Sequence, residues 1–278
     1  MSNPTRRRYL SRKVCFMIIL VSAPILLFFE FTKPAFTGDS EIMNPMINMT
    51  ITRGVGAAVF LALLLSEGYR ILNPLEKPFW RSLLFAIPPL LVAINNAPLY
   101  CLFFGDGEMI HGEASYWVMF ILECLAIGLF EEFAFRGVIF LMLAEKRHTT
   151  RKGLFISLML TSAIFGAVHL VNLFAGAGIG GVILQIGYSF LIGAMCSVVL
   201  LKTRNIWLCV LLHAVYDFGG KIIPTLFKGT MWDTPTIIVT AVLAVLTAAY
   251  LIWQFFVLDL GRVREIYEDG HGKRRMMP

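Results

Sequence analysis

The sequence predicts an all-α fold: a polytopic membrane protein built as a bundle of eight transmembrane helices, with both termini cytoplasmic. Three observations predict it. The 278 residues are 58% hydrophobic and only 15% charged, with a mean hydropathy of +0.74, whereas a soluble domain carries about 25% charged residues. Apolar runs long enough to cross a bilayer recur along the whole chain. The basic residues cluster in alternate loops, as the positive-inside rule requires. A net charge of +6 is therefore a topology signal and not a nucleic-acid signature.

The eight expected spans are Val14–Phe31, Ile51–Leu65, Phe79–Phe104, Tyr116–Leu143, Leu154–Phe174, Gly180–Leu201, Ile206–Phe227 and Thr236–Leu258. The first is long and lacks a small-residue cleavage site after it, so it reads as a span and not as a signal peptide. Pro24, Pro88, Pro89 and Pro98 interrupt their spans, which bundles tolerate where neighbours satisfy the freed backbone groups. Gly54, Gly56, Ala57 and Ala58 suit close helix packing. Residues 176–181 form a glycine-rich turn. The five cysteines lie in apolar segments without a CxxC pair and read as buried small hydrophobes. Residues 1–278 form one domain with its polar core at 116–218; 1–13 and 259–278 read as basic cytoplasmic tails.

The alternation of charge is strong. Arg6, Arg7, Arg8, Arg12 and Lys13 precede the first span, and Arg70, Lys77 and Arg81 follow the second. Lys146, Arg147, Arg151 and Lys152 follow the fourth, and Lys202 and Arg204 the sixth. Arg262, Arg264, Lys273, Arg274 and Arg275 end the chain. The other side holds only Lys33, Arg53 and Lys228, with Lys221 near a span end. An even span number returns both termini to the basic side, and one miscounted span would break the alternation. The expected location is the cell membrane, with the bilayer as first partner.

Inside the apolar fourth span sit Glu131, Glu132 and Arg136. Each charge placed there costs a few kcal/mol on insertion scales, so such residues face a protein interior or a water-filled cavity. Glu132 and Arg136 are spaced i, i+4 with the acid first, the favourable order for a helical ion pair. Glu131 points about 100° away and is left for chemistry. The fifth span carries His169, and the seventh carries His213 and Asp217 at i, i+4. At 1.5 Å per residue, Glu131, His169 and His213 lie roughly 18, 22 and 10 Å from the cytoplasmic ends of their spans, compatible with one cavity. A carboxylate and a histidine meeting there can deprotonate a water, and the His213/Asp217 face can supply oxyanion stabilisation. The residues thus point to a hydrolase that admits water and a peptide into the membrane. Taken singly, each pair also has a plain structural reading as an ion pair or an interhelical hydrogen bond. Glu123, Asn95, Asn96 and Gln185 read as structural.

Glu131-Glu132-x-x-x-Arg136, then Phe165-x-x-x-His169, then His213-x-x-x-Asp217, in that order on three spans, resembles the CAAX protease and bacteriocin-processing family of intramembrane proteases, which includes the type II CAAX prenyl endopeptidases. The resemblance implies that Glu131 with His169 activates the attacking water, that Glu132 and Arg136 support the site, and that His213 and residue 217 form the oxyanion hole. The commonest pattern of that family has Asn where this chain has Asp217. A carboxylate donates to an oxyanion only when protonated; alternatively Asp217 orients His213, and His213 alone donates. Glu131, His169, His213 and Asp217 are also plausible zinc ligands by type. Because no HExxH-like motif is present, the expectation is no cofactor, with zinc as the alternative.

The expected activity is intramembrane endopeptidase action on a membrane-associated peptide or protein, with no nucleic-acid partner. The rival from another class is a non-proteolytic membrane scaffold or immunity-type binding protein on the same fold, to which Asp217 lends support. A proton-coupled transporter is the weakest alternative, because no inverted repeat is visible.

Overall fold

The computed structural model describes residues 10–32, 34–39, 41–73 and 79–268. The helices are α1 (Arg12–Thr32), α2 (Met43–Glu67), α3 (Phe79–Asn95), α4 (Leu99–Phe104) and α5 (Ala114–Glu131). Helix α5 runs on without a break into a π-helical segment (Glu132–Phe140) and α6 (Leu141–Ala144). Then come α7 (Arg151–Ala167) with a 3-10 turn (Val168–Leu173), α8 (Ile179–Thr203), α9 (Ile206–Leu226), α10 (Thr234–Phe256) and α11 (Leu260–Arg264). The fold is all-helical apart from a two-residue antiparallel pairing of β1 (Glu108–Met109) with β2 (Phe227–Lys228).

Among the described residues, five helices are long and apolar enough to cross a membrane: Met43–Glu67, Arg151–Leu173, Ile179–Thr203, Ile206–Leu226 and Thr234–Phe256. Lys13–Leu26 and Trp80–Asn95 are shorter apolar helices. The expected third span is split, because Pro98 stands between α3 and α4. The expected second span starts eight residues early, at Met43. Its first turns are polar but satisfied: Asn44 Oδ1 accepts from the Phe36 and Thr37 N–H groups, and the Thr50 hydroxyl donates to Met46 O. Arg53, counted with the loop charges although it stands two residues inside the expected span, lies in the body of α2.

Contacts divide the loops into two ends. At one end the Trp207 indole N–H donates to Leu72 O, Asn205 Nδ2 to Asn73 O and the Tyr267 hydroxyl to Leu141 O. There too His148 stacks on Tyr267, and Arg204 pairs with Glu265. Residues 259–268, the start of the expected basic tail, are therefore packed on the core and not loose; Val263 and Ile266 are fully buried. The basic residues of the arm and tail at positions 6–8 and 273–275, with Lys33 and Lys77, lie outside the described residues. At the other end Asp106 accepts from the N–H and hydroxyl of Thr230, and the Ile110 N–H donates to Leu226 O. Asp39 accepts from the N–H groups of Glu41, Ile42 and Met43 and from the Tyr116 hydroxyl.

The five cysteines are free and buried. Two glycines set the close approaches that matter. A Cβ on Gly128 of α5 would sit 3.0 Å from Val210 O and 3.2 Å from Ala214 N of α9. A Cβ on Gly166 of α7 would sit 2.8 Å from Ile186 O of α8.

Gly128→Val is expected to cost about 1–3 kcal/mol by overpacking and to lower the thermal midpoint in detergent. Gly54→Val, where nothing lies within 4 Å of the added Cβ, should leave it within error. Acid sensitivity supplies a second check. The backbone N–H of Ile42, then the Tyr116 hydroxyl, lower the Asp39 carboxyl from its ordinary 3.8 to about 2. A lowered folded-state value means the ion stabilises the native state above pH 3.8 and that this contribution fades as pH falls towards about 2. Between those values the wild type should lose more stability than Asp39→Asn, the remaining loss in the variant coming from groups such as Asp106, which Thr230 also lowers from 3.8 to about 2, as read by thermal melts across that range.

Candidate active site

The site is built where α5 and its π segment cross α9. Because Gly128 lets the two backbones meet, the carboxylates one turn later are brought against His213. Glu132 and Arg136 are almost wholly buried, at 0% and 1% exposure, and Arg136 Nη1 lies 2.9 Å from Glu132 Oε1. The i, i+4 pairing read from the sequence is thus present. It survives the change to π geometry, since either helix type returns i+4 to nearly the same face. The π segment itself was not foreseen; such bulges leave no mark in hydropathy, and they recur at functional sites.

Arg136 has two further neighbours. Its guanidinium stands 4.3 Å from the centroid of the Phe165 ring, a cation–π contact. A Cβ at position 193 would fall 3.1 Å from its Nη2, so the glycine in α8 leaves room for the guanidinium. Glu132 Oε1 also lies 2.6 Å from His213 Nδ1. One oxygen therefore faces both the guanidinium and the imidazole, and His213 is oriented through Nδ1. Its Nε2 is turned to the cavity, 3.4 Å from Glu131 Oε2 and 3.8 Å from Asp217 Oδ2.

Glu131, His169, His213 and Asp217 line one cavity of about 220 Å³, ample for several waters. His169 is fixed through Nδ1, 2.9 Å from Phe165 O, and its ring packs edge-on to Phe165. Asp217 Oδ2 is buried with no hydrogen-bond partner among the described residues. The structure thus brings together all six residues singled out from the sequence, five in direct contact and His169 across the cavity. Glu132 takes the orienting role towards His213 that the sequence left open for Asp217.

Zinc fits less well. No group of three His, Cys, Asp or Glu side chains among the described residues is arranged to hold a metal ion; His213 Nδ1 is already engaged by Glu132. No chemical step is routed through zinc.

The sequence reading missed Lys221 and Arg53 as cavity residues. Lys221 Nζ lies 2.5 Å from Glu123 Oε1. The signal was available: His213, Asp217 and Lys221 follow one another at four-residue intervals. Asn95, Asn96 and Gln185 are interhelical links, to Thr240, Tyr216 O and Asn172 respectively.

Apolar helices enclosing a water-sized cavity lined by acids and histidines define a helical membrane protein with an internal polar site. Residues 113–219 match the family described as Type II CAAX prenyl endopeptidase Rce1-like. The match covers the π segment and both histidine helices, supports assignment of the chain to the CAAX protease family and points to a protease. No curated protein matches the chain.

Arg136→Met leaves Glu132 buried beside His213 alone, a type of loss that costs about 3–5 kcal/mol. The variant is expected to melt well below wild type in detergent. Removing both charges, Glu132→Gln with Arg136→Met, should recover much of that loss; a double variant no better than the single one would show that the pair is not coupled.

Proposed function

We propose that the protein is an intramembrane endopeptidase that hydrolyses a peptide bond of a membrane-associated protein or peptide with Glu131 as general base. It is a cell-membrane protein with eight spans, α3 with α4 and α5 through α6 each counting as one, and both termini on the cytoplasmic side. The observation that carries the reading is the unpaired end of the constellation. Glu132 is consumed by Arg136 and His213, whereas Glu131 keeps an oxygen on the cavity beside His213 Nε2.

In this reading a cavity water, held between Glu131 and His169, loses a proton to Glu131 as its oxygen attacks the scissile carbonyl carbon. The carbonyl oxygen becomes an oxyanion, and His213, donating through Nε2–H, stabilises it. Glu131 then returns the proton to the leaving nitrogen as the C–N bond breaks. Glu132 acts through His213 as a positioning residue, and Arg136 balances the charge of Glu132. Asp217 faces the same space one turn after His213 and gives the leaving amine a second acceptor. No metal enters the cycle.

The rival reading, a scaffold or immunity-type binding protein without proteolysis, draws on the same Asp217, because a carboxylate replaces the amide donor of the commonest family pattern. The two readings separate on a quenched peptide library offered to the purified protein in detergent. Glu131→Gln is expected to cut cleavage by about 10²–10⁴-fold with an unchanged melting midpoint, and removal of the His213 ring by about 10²–10³-fold. A chelator is expected to change nothing. Wild-type cleavage by Glu131→Gln sinks the protease mechanism; loss with chelator and rescue by zinc sinks its metal-free form.

A further inference from the structure

Helices α5 and α9 carry two facing rows of side chains. Glu123, Ile127 and Glu131 follow one another at four-residue intervals on α5, and His213, Asp217 and Lys221 do so on α9. That spacing keeps each row on one face of its helix. Contacts close both ends of the ladder. Lys221 Nζ lies 2.5 Å from Glu123 Oε1, and His213 Nε2 lies 3.4 Å from Glu131 Oε2. These two pairings run the helices antiparallel and fix the middle rung, where Asp217 stands opposite Ile127. Both line the cavity, and an isoleucine side chain offers a carboxylate no donor.

Asp217 is thus the acid that the neighbouring helix leaves unmet. Its Oδ2 is buried with no hydrogen-bond partner among the described residues, and His213 Nε2, at 3.8 Å, is beyond hydrogen-bond reach. A carboxylate inside a membrane helix needs a counter-charge. The groups whose charge reaches it include His213 and Lys221 from its own helix and Glu131 and Glu123 from α5. The two glutamates repel it. His213 is already held between Glu132 and Glu131. Lys221 remains, one turn on, with the acid first, the favourable order for a helical pair.

The placement of Lys221 agrees. It stands about 8 Å from the end of α9, where a lysine ordinarily stretches its stem outward to the headgroups. Here it lines the cavity and is tied to Glu123, which is 4% exposed. An ammonium has three donors, so that one tie does not use up the lysine.

We propose that Lys221 is a further positioning residue of this site: anchored by Glu123, its ammonium is the fixed counter-charge that holds the Asp217 carboxylate on the cavity. The pairing accounts for an acid at position 217, where the commonest family pattern has an amide. Its link to catalysis rests on the protease reading above; the coupling of Lys221 to Asp217 does not.

The test is a double-mutant cycle on the full chain in detergent. Lys221→Gln keeps a donor for Glu123 and removes the charge, and Lys221→Arg keeps the charge. Any loss at Glu123 is common to both backgrounds and cancels in the cycle. Lys221→Gln is expected to lower the melting midpoint by about 2–4 °C more in the wild type than on Asp217→Asn, with Lys221→Arg close to wild type. Equal losses in the two backgrounds overturn the proposal. A Lys221→Gln chain that does not fold is read through the double variant: recovery by Asp217→Asn supports the pairing, and failure of both overturns it. Turnover of the quenched peptide library gives the second readout. Lys221→Gln is expected to lower kcat about tenfold with KM little changed, and to have no such effect once residue 217 is Asn. A wild type that cleaves nothing overturns the protease reading, and the melting cycle still decides the pairing.

Discussion

The arrangement depends on one buried carboxylate. Glu132 has no exposed surface, and a lone ion there would carry a desolvation cost of several kcal/mol. It is tolerable because Arg136 lies on the same face of the helix and His213 arrives from α9. Those two partners come from different helices, so the charge can be buried only if α5, its π continuation and α9 meet in this register. Gly128 permits that meeting and Gly193 accommodates the guanidinium. Packing and electrostatics thus specify the same arrangement, and Glu131 is left over by it.

That leftover position is what puts a carboxylate on the cavity. Successive side chains on a helix diverge by about 100°, so of the two adjacent glutamates only Glu132 faces Arg136 at i+4. The pair therefore divides labour by geometry: one acid is neutralised and locks a histidine, the other faces the cavity. His213 links them, with Nδ1 on the buried Glu132 and Nε2 towards the cavity-lining Glu131. Anchoring one ring nitrogen fixes the direction of the other, the same logic by which outer partners orient metal-bound or catalytic histidines.

The sequence carried what local periodicity can carry. The Glu132–Arg136 pair, the shared face of His213 and Asp217, and the buried thiols follow from spacing and hydropathy. The contact between Glu132 and His213 spans 81 residues, and no spacing rule reaches that far. The early start of α2 was hidden because Asn44 and Thr50 look like loop residues until their tertiary and backbone partners are known. The π segment leaves no trace in composition, since it changes the hydrogen-bond partner and not the residue types.

The two ends of the bundle show how charge and packing combine. Along α9, Ile206 to Leu212 is buried apart from Trp207 and Leu211, which are 43% and 51% exposed. From His213 onward the same helix presents Asp217 and Lys221 to the cavity. The change occurs within about one turn. Asn172, Gln185 and Ser189 also line the cavity, and the first two satisfy each other through the Asn172 amide donating to Gln185 Oε1. Lys221 also lines the cavity, its ammonium engaged by Glu123. The packed layers of Val138, Leu141, Val199 and Cys209 close the cavity on the side of the basic loops.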